Sequence, residues 1–194
     1  MSKFFAYISR MKNIRRWGLM RSFREENVQE HSLQVAMFAH ALALIENQQF
    51  GGSYDAEHIM AIAVYHETSE VITGDLVTPI KYYNEEIRSA YKHIEALAEE
   101  RMLSMLPTPL EGEIRPLVQP SDEKEKHIVK AADTLAAYTK CLEEVRSGNR
   151  EFEKAAEKLK KNLGHMAADW HLQSVDYFMK EFIPSFEVTL DELN

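Results

Sequence analysis

An all-α fold is the expectation for this chain, and three features of the sequence predict it. Apolar residues recur at three- and four-residue intervals in successive segments, strand-like alternation never persists, and several segments open on residues that cap helices. The 194 residues are 45% hydrophobic, enough for one sizeable core, and no Gly/Ser linker or composition shift divides them. A single domain over 1–194 is therefore expected, a single-domain helical bundle.

The first helix is expected at about 2–13, with Phe4, Phe5, Ile8 and Met11 on its apolar face. An irregular basic stretch follows. Asn27 with Glu30 three residues later forms a capping-box-like start, and the apolar pattern continues to about residue 46. On that helix His31 shares a face with Val35, Phe38 and Leu42. Gly51 and Gly52 end the region and Ser53 starts the next helix, where Ile59, Ile62, Ala63 and His66 recur on one face. Gly74 and Pro79 mark a loop. A long scaffold helix is expected at about 84–105, its inner face made by Ile87, Tyr91, Ile94, Leu97 and Ala98.

Pro107, Pro109, Pro116 and Pro120 mark an irregular connection with one short helix around 110–117. Ser121, followed by Asp122 and Glu123, starts a helix on which Val129, Asp133, Ala136 and Ala137 share a face. Two further helices, at about 150–166 and 169–182, close the chain before Pro184 and an acidic tail. The alternating charges of EFEKAAEKLKK read as a solvated face.

Composition excludes several classes of function. A net charge of −8 opposes general binding to nucleic-acid polymers or anionic membranes. No apolar run reaches the roughly 18 to 20 residues that span a bilayer, and the start of the sequence lacks a signal peptide's apolar centre, so a cytoplasmic protein is expected. The lone Cys141 permits no internal disulfide and no CxxC zinc pattern, so any metal must use nitrogen and oxygen ligands. Against the acidic background stands a run of Arg10, Lys12, Arg15, Arg16, Arg21 and Arg24 without an acidic residue among them. Such runs are commonly solvated faces, but Trp17 beside Arg16 suits a ligand with an anionic group and a stackable or apolar part.

His31, His66, Glu67 and Asp133 form a set of two imidazoles and two carboxylates at inward helical positions. A buried imidazole beside a carboxylate is costly unless a metal or a hydrogen-bond network satisfies it. The set suits a borderline or harder divalent cation with open positions for water and substrate. Glu70 lies one turn beyond His66. Asp75 and Thr78 are turn formers that also sit where they can line a pocket. Spacing alone does not make the four ligands converge.

The order ENVQEHSLQVA, YHETSE, GDLVTP and KAADTLAAY, preceded by RRW, resembles the HD-domain metal-dependent phosphohydrolases, whose ligands read H…HD…D. The likeness spans nearly the whole chain and is similar in detail to the bacterial HD-domain 5′-deoxynucleotidases, which remove phosphate from deoxyribonucleoside 5′-monophosphates. It implies an HD-type bundle with its metal-site core at about 27–140, a homodimer, and a divalent cation, Co²⁺ or Mn²⁺ ahead of Zn²⁺, Fe²⁺ or Mg²⁺. By position it implies His31, His66, Glu67 and Asp133 as metal ligands, with Glu70 and Arg16 in catalysis. Arg16 and Trp17 fall at the phosphate- and sugar-contacting pair, and Asp75, Leu76, Val77 and Thr78 in the loop lining the nucleotide pocket, with His31, Glu67 and Asp133 also facing substrate.

Two positions depart from the family pattern: Glu67 where the motif has aspartate, and Val77 where the loop more often has proline. No residue reads a base edge in this alignment of motifs, so breadth across bases is expected. Two rivals stand beside this reading. One is another HD-type phosphohydrolase acting on a ribonucleotide, triphosphate or cyclic nucleotide. The other is a nucleotide-binding helical protein silenced by Glu67.

Overall fold

The computed structural model describes residues 1–81 and 83–188, and the acidic tail lies outside them from residue 189 onward. In chain order the helices are α1 (Phe4–Ile8), α2 (Val28–Gln49), α3 (Ala56–Tyr65), α4 (Glu70–Thr73), α5 (Thr78–Lys81), α6 (Glu85–Leu103), α7 (Thr108–Val118), α8 (Glu123–Arg146), α9 (Glu153–Trp170) and α10 (Gln173–Glu181). Tight 3-10 turns occupy Met11–Asn13, Arg150–Phe152 and Ile183–Glu187. Among the described residues the only β pairing is an isolated antiparallel bridge between Arg15 and Asn27.

The core follows from helical periodicity. Val35, Phe38 and Leu42 of α2 pack with Ile59, Ile62 and Ala63 of α3 and with Ile128, Ala132 and Leu135 of α8, and Leu163, Val175 and Phe178 close the other side. Asn27 caps α2 as its pattern predicts, its side chain accepting the Glu30 N–H at 3.0 Å. That cap sets where the helix begins, and so holds His31 in its first turns facing inward. A smaller cluster joins Phe4 to Met102, Leu103, Leu106, Ile114 and Val118.

Several boundaries differ from the sequence expectation, each for a local reason. The first helix breaks after Ile8, where the Arg10 N–H turns back to Tyr7 O and tightens the chain into a 3-10 turn; Phe4 and Met11 are buried and Phe5 is exposed. Asp55, not Ser53, caps α3, because its carboxylate accepts the His58 N–H at 2.9 Å. Thr78–Lys81 is a short helix instead of loop, and Pro79 suits its first turn because no intrahelical N–H is needed there. Asp122, not Ser121, caps α8 by accepting the Lys124 N–H at 2.7 Å. His171 takes a left-handed conformation (φ 54°) and ends α9 four residues beyond the expected stop. On α6, Tyr91 and Ala98 are buried as expected, but Ile94 and Leu97 are 50% and 56% exposed.

Candidate metal and nucleotide site

Three elements converge on one point. His31 comes from the first turns of α2, Asp133 from the middle of α8, and His66 and Glu67 from the turn that ends α3. The periodicity of α3 predicts His66 inside the helix. Instead the helix stops at Tyr65 and His66 is its C-cap, with the Thr68 hydroxyl donating to Tyr65 O at 2.6 Å to satisfy a terminal carbonyl. The break turns His66 and Glu67 toward the pocket together, which a continuous helix would place about 100° apart.

One ligand atom from each of His31, His66, Glu67 and Asp133 lies within 4.8 Å of all the others. His31 Nε2 is 3.0 Å from Asp133 Oδ1 and 4.0 Å from Glu67 Oε1, and His66 Nε2 is 3.4 Å from Glu67 Oε1. The His66 Nδ1–H donates to Ala63 O at 2.7 Å, which leaves Nε2 with its lone pair toward the cluster. That Nε2 is buried and has no hydrogen-bond partner. A buried imidazole nitrogen without a hydrogen-bond partner, beside two carboxylates and a second imidazole, makes a donor set that fits a divalent metal.

Electrostatics divide the cluster: burial would lower His66, but Glu67 outweighs it and holds the imidazole above its ordinary value, so the pair shares a proton that a cation would displace. Burial, with Arg16 next, pushes His31 below its ordinary value and so toward the neutral form that ligates. Burial alone would raise Asp133, but Lys130 and His31 outweigh it and hold the carboxyl well below its usual range. Glu67 behaves likewise: burial raises it, and the His66 imidazole overrides burial and brings it to about 2. Glu70 goes the other way. Burial, then the neighbouring Glu67 and Asp75 carboxylates, push it up to about 10, so its carboxyl keeps a proton at neutral pH. Its Oε2 is buried and without a partner.

Arg16 joins the same pocket, with Nη1 3.5 Å from Glu67 Oε1 and Nε 3.2 Å from Glu26 Oε2. The Trp17 indole N–H donates to that same Glu26 oxygen at 2.8 Å. Glu26 was missed from sequence; its signal is that it is an acid at the end of a basic run, directly before the α2 cap. Lys130, 2.6 Å from Asp133 Oδ2, is the cation that an inward aspartate on an Ala-rich face calls for.

The loop after α4 lies near the stretch that carries Arg16. A Cβ added at Gly18 would lie 3.8 Å from Val77 Cγ1, so the stretch after Trp17 and the loop after α4 run close to each other. Asp75 is partly buried and within electrostatic reach of Arg16 and Glu67. Leu76 is partly buried beside it, while Thr78 is exposed at the head of α5.

Comparison with known proteins is consistent across the chain. A family model described as "5′-deoxynucleotidase YfbR-like" matches residues 3–186. A 5′-deoxynucleotidase of Photorhabdus laumondii is 54% identical over 196 residues, covering 100% of this chain and 98% of that protein. Among solved structures, an HD-domain phosphohydrolase from Listeria innocua superposes with a TM-score of 0.82 at 24% identity, over 95% of this chain and 88% of its own. A cyanophage S-2L HD phosphohydrolase, bound to dA and one catalytic Zn²⁺ ion, has a TM-score of 0.56 at 18% identity, over 91% of this chain and 96% of its own. These two structures carry the helical fold.

Proposed function

The chain belongs to the YfbR-like 5′-deoxynucleotidase family, and from that premise we infer that it hydrolyses deoxyribonucleoside 5′-monophosphates to deoxyribonucleoside and phosphate, across the bases. The observation that carries the reading is the 3.5 Å approach of Arg16 to Glu67. It puts an anion-binding guanidinium and a metal-binding carboxylate at one point, which is what a phosphate shared between a cation and an arginine requires.

In this reading His31, His66, Glu67 and Asp133 hold a divalent cation. Once bound, the cation supplies Lewis acidity toward a phosphate oxygen and toward water. We assign Co²⁺ or Mn²⁺ to this site; a mixed imidazole and carboxylate set without thiolate accepts either, as it does Zn²⁺ or Fe²⁺. Arg16 orients the phosphate through its planar fork, and its charge offsets the acidic field of the pocket. Water attacks phosphorus as the bond to the 5′ oxygen breaks, and Glu70, one turn beyond His66, takes the proton that the water loses and passes one to the departing 5′ oxygen. Asp75 accepts a hydrogen bond from the 3′-hydroxyl, and Leu76, Val77 and Thr78 line the sugar side.

Trp17 sets the sugar preference by standing against C2′. Its ring must clash with a 2′-hydroxyl, because an apolar pocket alone rejects an added hydroxyl only about 10²-fold. We assign the enzyme to the cytoplasm, supported by a free, buried Cys141 and the absence, among the described residues, of any helix long and apolar enough to cross a membrane. A homodimer is part of the same reading. Its support is the exposed pair Ile94 and Leu97 on α6; Phe178, in the tail that also carries Tyr177 and Phe182, is instead buried against Phe38.

Phosphate release from dAMP and AMP, on metal-stripped protein resupplied separately with Co²⁺, Mn²⁺, Mg²⁺ and Zn²⁺, tests the function. Metal-dependent release from dAMP alone is expected. Release from neither under any metal overturns the hydrolase reading, and equal release from both overturns the role given to Trp17.

A further inference from the structure

The stretch that carries Arg16 and Trp17 runs from the Met11–Asn13 turn to α2 without a helix of its own, so its shape must be imposed from outside. Its two ends are paired, with the Arg16 N–H on Glu26 O at 3.0 Å and the Val28 N–H on Ile14 O at 3.0 Å. Between them Trp17 adopts φ 61°, a left-handed conformation that a bulky residue keeps only when its surroundings over-determine it.

The surroundings are at the far end of α8. Glu144, 2% exposed, accepts the Phe23 N–H at 2.8 Å and the Arg24 N–H at 3.1 Å. Lys140, also buried, pairs with Glu144 and donates to Arg24 O at 2.5 Å. Asn149 donates both to Glu144 Oε2 at 2.8 Å and to Arg21 O at 2.7 Å. A turn closed by the Met20 N–H on Trp17 O at 2.8 Å links this anchor to the tryptophan, whose ring rests 5.3 Å from that of the fully buried Phe152. A buried carboxylate and ammonium cost much of what their attraction returns, so such a pair is weak evidence of stabilisation. Here both charges are spent on the backbone of one loop.

We propose that Glu144, together with Lys140 and Asn149, is a positioning residue for sugar discrimination, acting through residues 21–24 to hold the Trp17 ring against the 2′ position. This rests on the reading of Trp17 given above. Glu144→Gln turns an amide N–H toward donors that now find a carboxylate oxygen, and releases the loop while leaving the metal ligands on their own elements.

The test is the ratio of kcat/KM for dAMP to that for AMP, which does not change with the fraction of folded enzyme. Glu144→Gln is expected to lower the ratio at least about tenfold, since misplacement by about 1 Å can cost 10²-fold. Mn²⁺ affinity, measured by titration, is expected to stay within about twofold, as its ligands lie outside the loop. Asn149→Ala, which removes the bond to Arg21 O, moves the ratio the same way and decides the matter if Glu144→Gln does not fold. Leu163→Ala, a buried core truncation, lowers stability and leaves the ratio alone. A selective wild type whose ratio survives in every folded anchor variant overturns the proposal. A wild type without selectivity overturns the role of Trp17 first, and the proposal with it.

Discussion

The His66 imidazole is locked by Ala63: its Nδ1–H donates to that residue's carbonyl at 2.7 Å, so the side chain that ends α3 is aimed by the last turn of its own helix. This fixes the tautomer before any cation arrives, and removing the imidazole removes a preoriented donor. Metal at 100 times its Kd is expected to raise wild-type stability by about 2.7 kcal/mol, or roughly 5 to 10 °C in Tm for a chain of this size. Thermal melts of His66→Gln with and without Mn²⁺ are expected to coincide.

Glu67 touches both halves of the site, 3.4 Å from His66 Nε2 and 3.5 Å from Arg16 Nη1. Aspartate at this position is one methylene shorter and withdraws the carboxylate from Arg16. Glu67→Asp is therefore expected to raise KM for dAMP by about tenfold while kcat changes less. Steady-state kinetics at saturating metal separate the two; an unchanged KM would mean that the Arg16 contact does not orient the phosphate.

Asn27 caps the helix that presents His31. Asn27→Ala is expected to cost about 1 kcal/mol, within the 0.5–2 kcal/mol seen for lost caps. Urea denaturation of the metal-free protein measures it.

Glu144 gives the molecule an acid limb. Burial pushes its carboxyl up, and Lys140, the Phe23 N–H, Asn149 and the Arg24 N–H outweigh burial and hold it at about 2, against an ordinary value of 4.5. Between those values the unfolded chain binds a proton that the native one does not, so the stabilisation is present above about pH 4.5 and drains as pH falls toward 2. Glu144→Gln is expected to lose about 3 to 5 kcal/mol at pH 7, because it leaves Lys140 buried without its partner. Its urea midpoints should fall less steeply with acid than those of wild type, the two curves closing as pH is lowered.

Much of this architecture was legible in local pattern. The inward faces of α2 and α8, the Asn27 cap and the lack of strands among the described residues follow from spacing and capping chemistry, which act within a few residues. The inward positions of His31 and Asp133 were legible by the same route, since each stands on an apolar face. Boundaries were less so. His66 reads as helical by periodicity, yet it caps α3, because the backbone leaves the helix where the Thr68 hydroxyl and the following turn satisfy the last carbonyls.

By itself the sequence determined the inward faces of α2 and α8, though not those of α1 and α6, where Phe5, Ile94 and Leu97 are exposed, and it determined which chemistry is at hand: two imidazoles, two carboxylates, an arginine beside a tryptophan, and no thiolate among the candidate ligands. These are properties of short windows, in which side-chain direction follows from the helical repeat. Only the tertiary structure decided that the four ligand atoms meet within 4.8 Å, that Glu26 ties Arg16 to Trp17, and that Glu144 grips the loop from more than a hundred residues away. Such contacts join elements distant in sequence, and no periodicity within one element encodes where another element's side chain will stop.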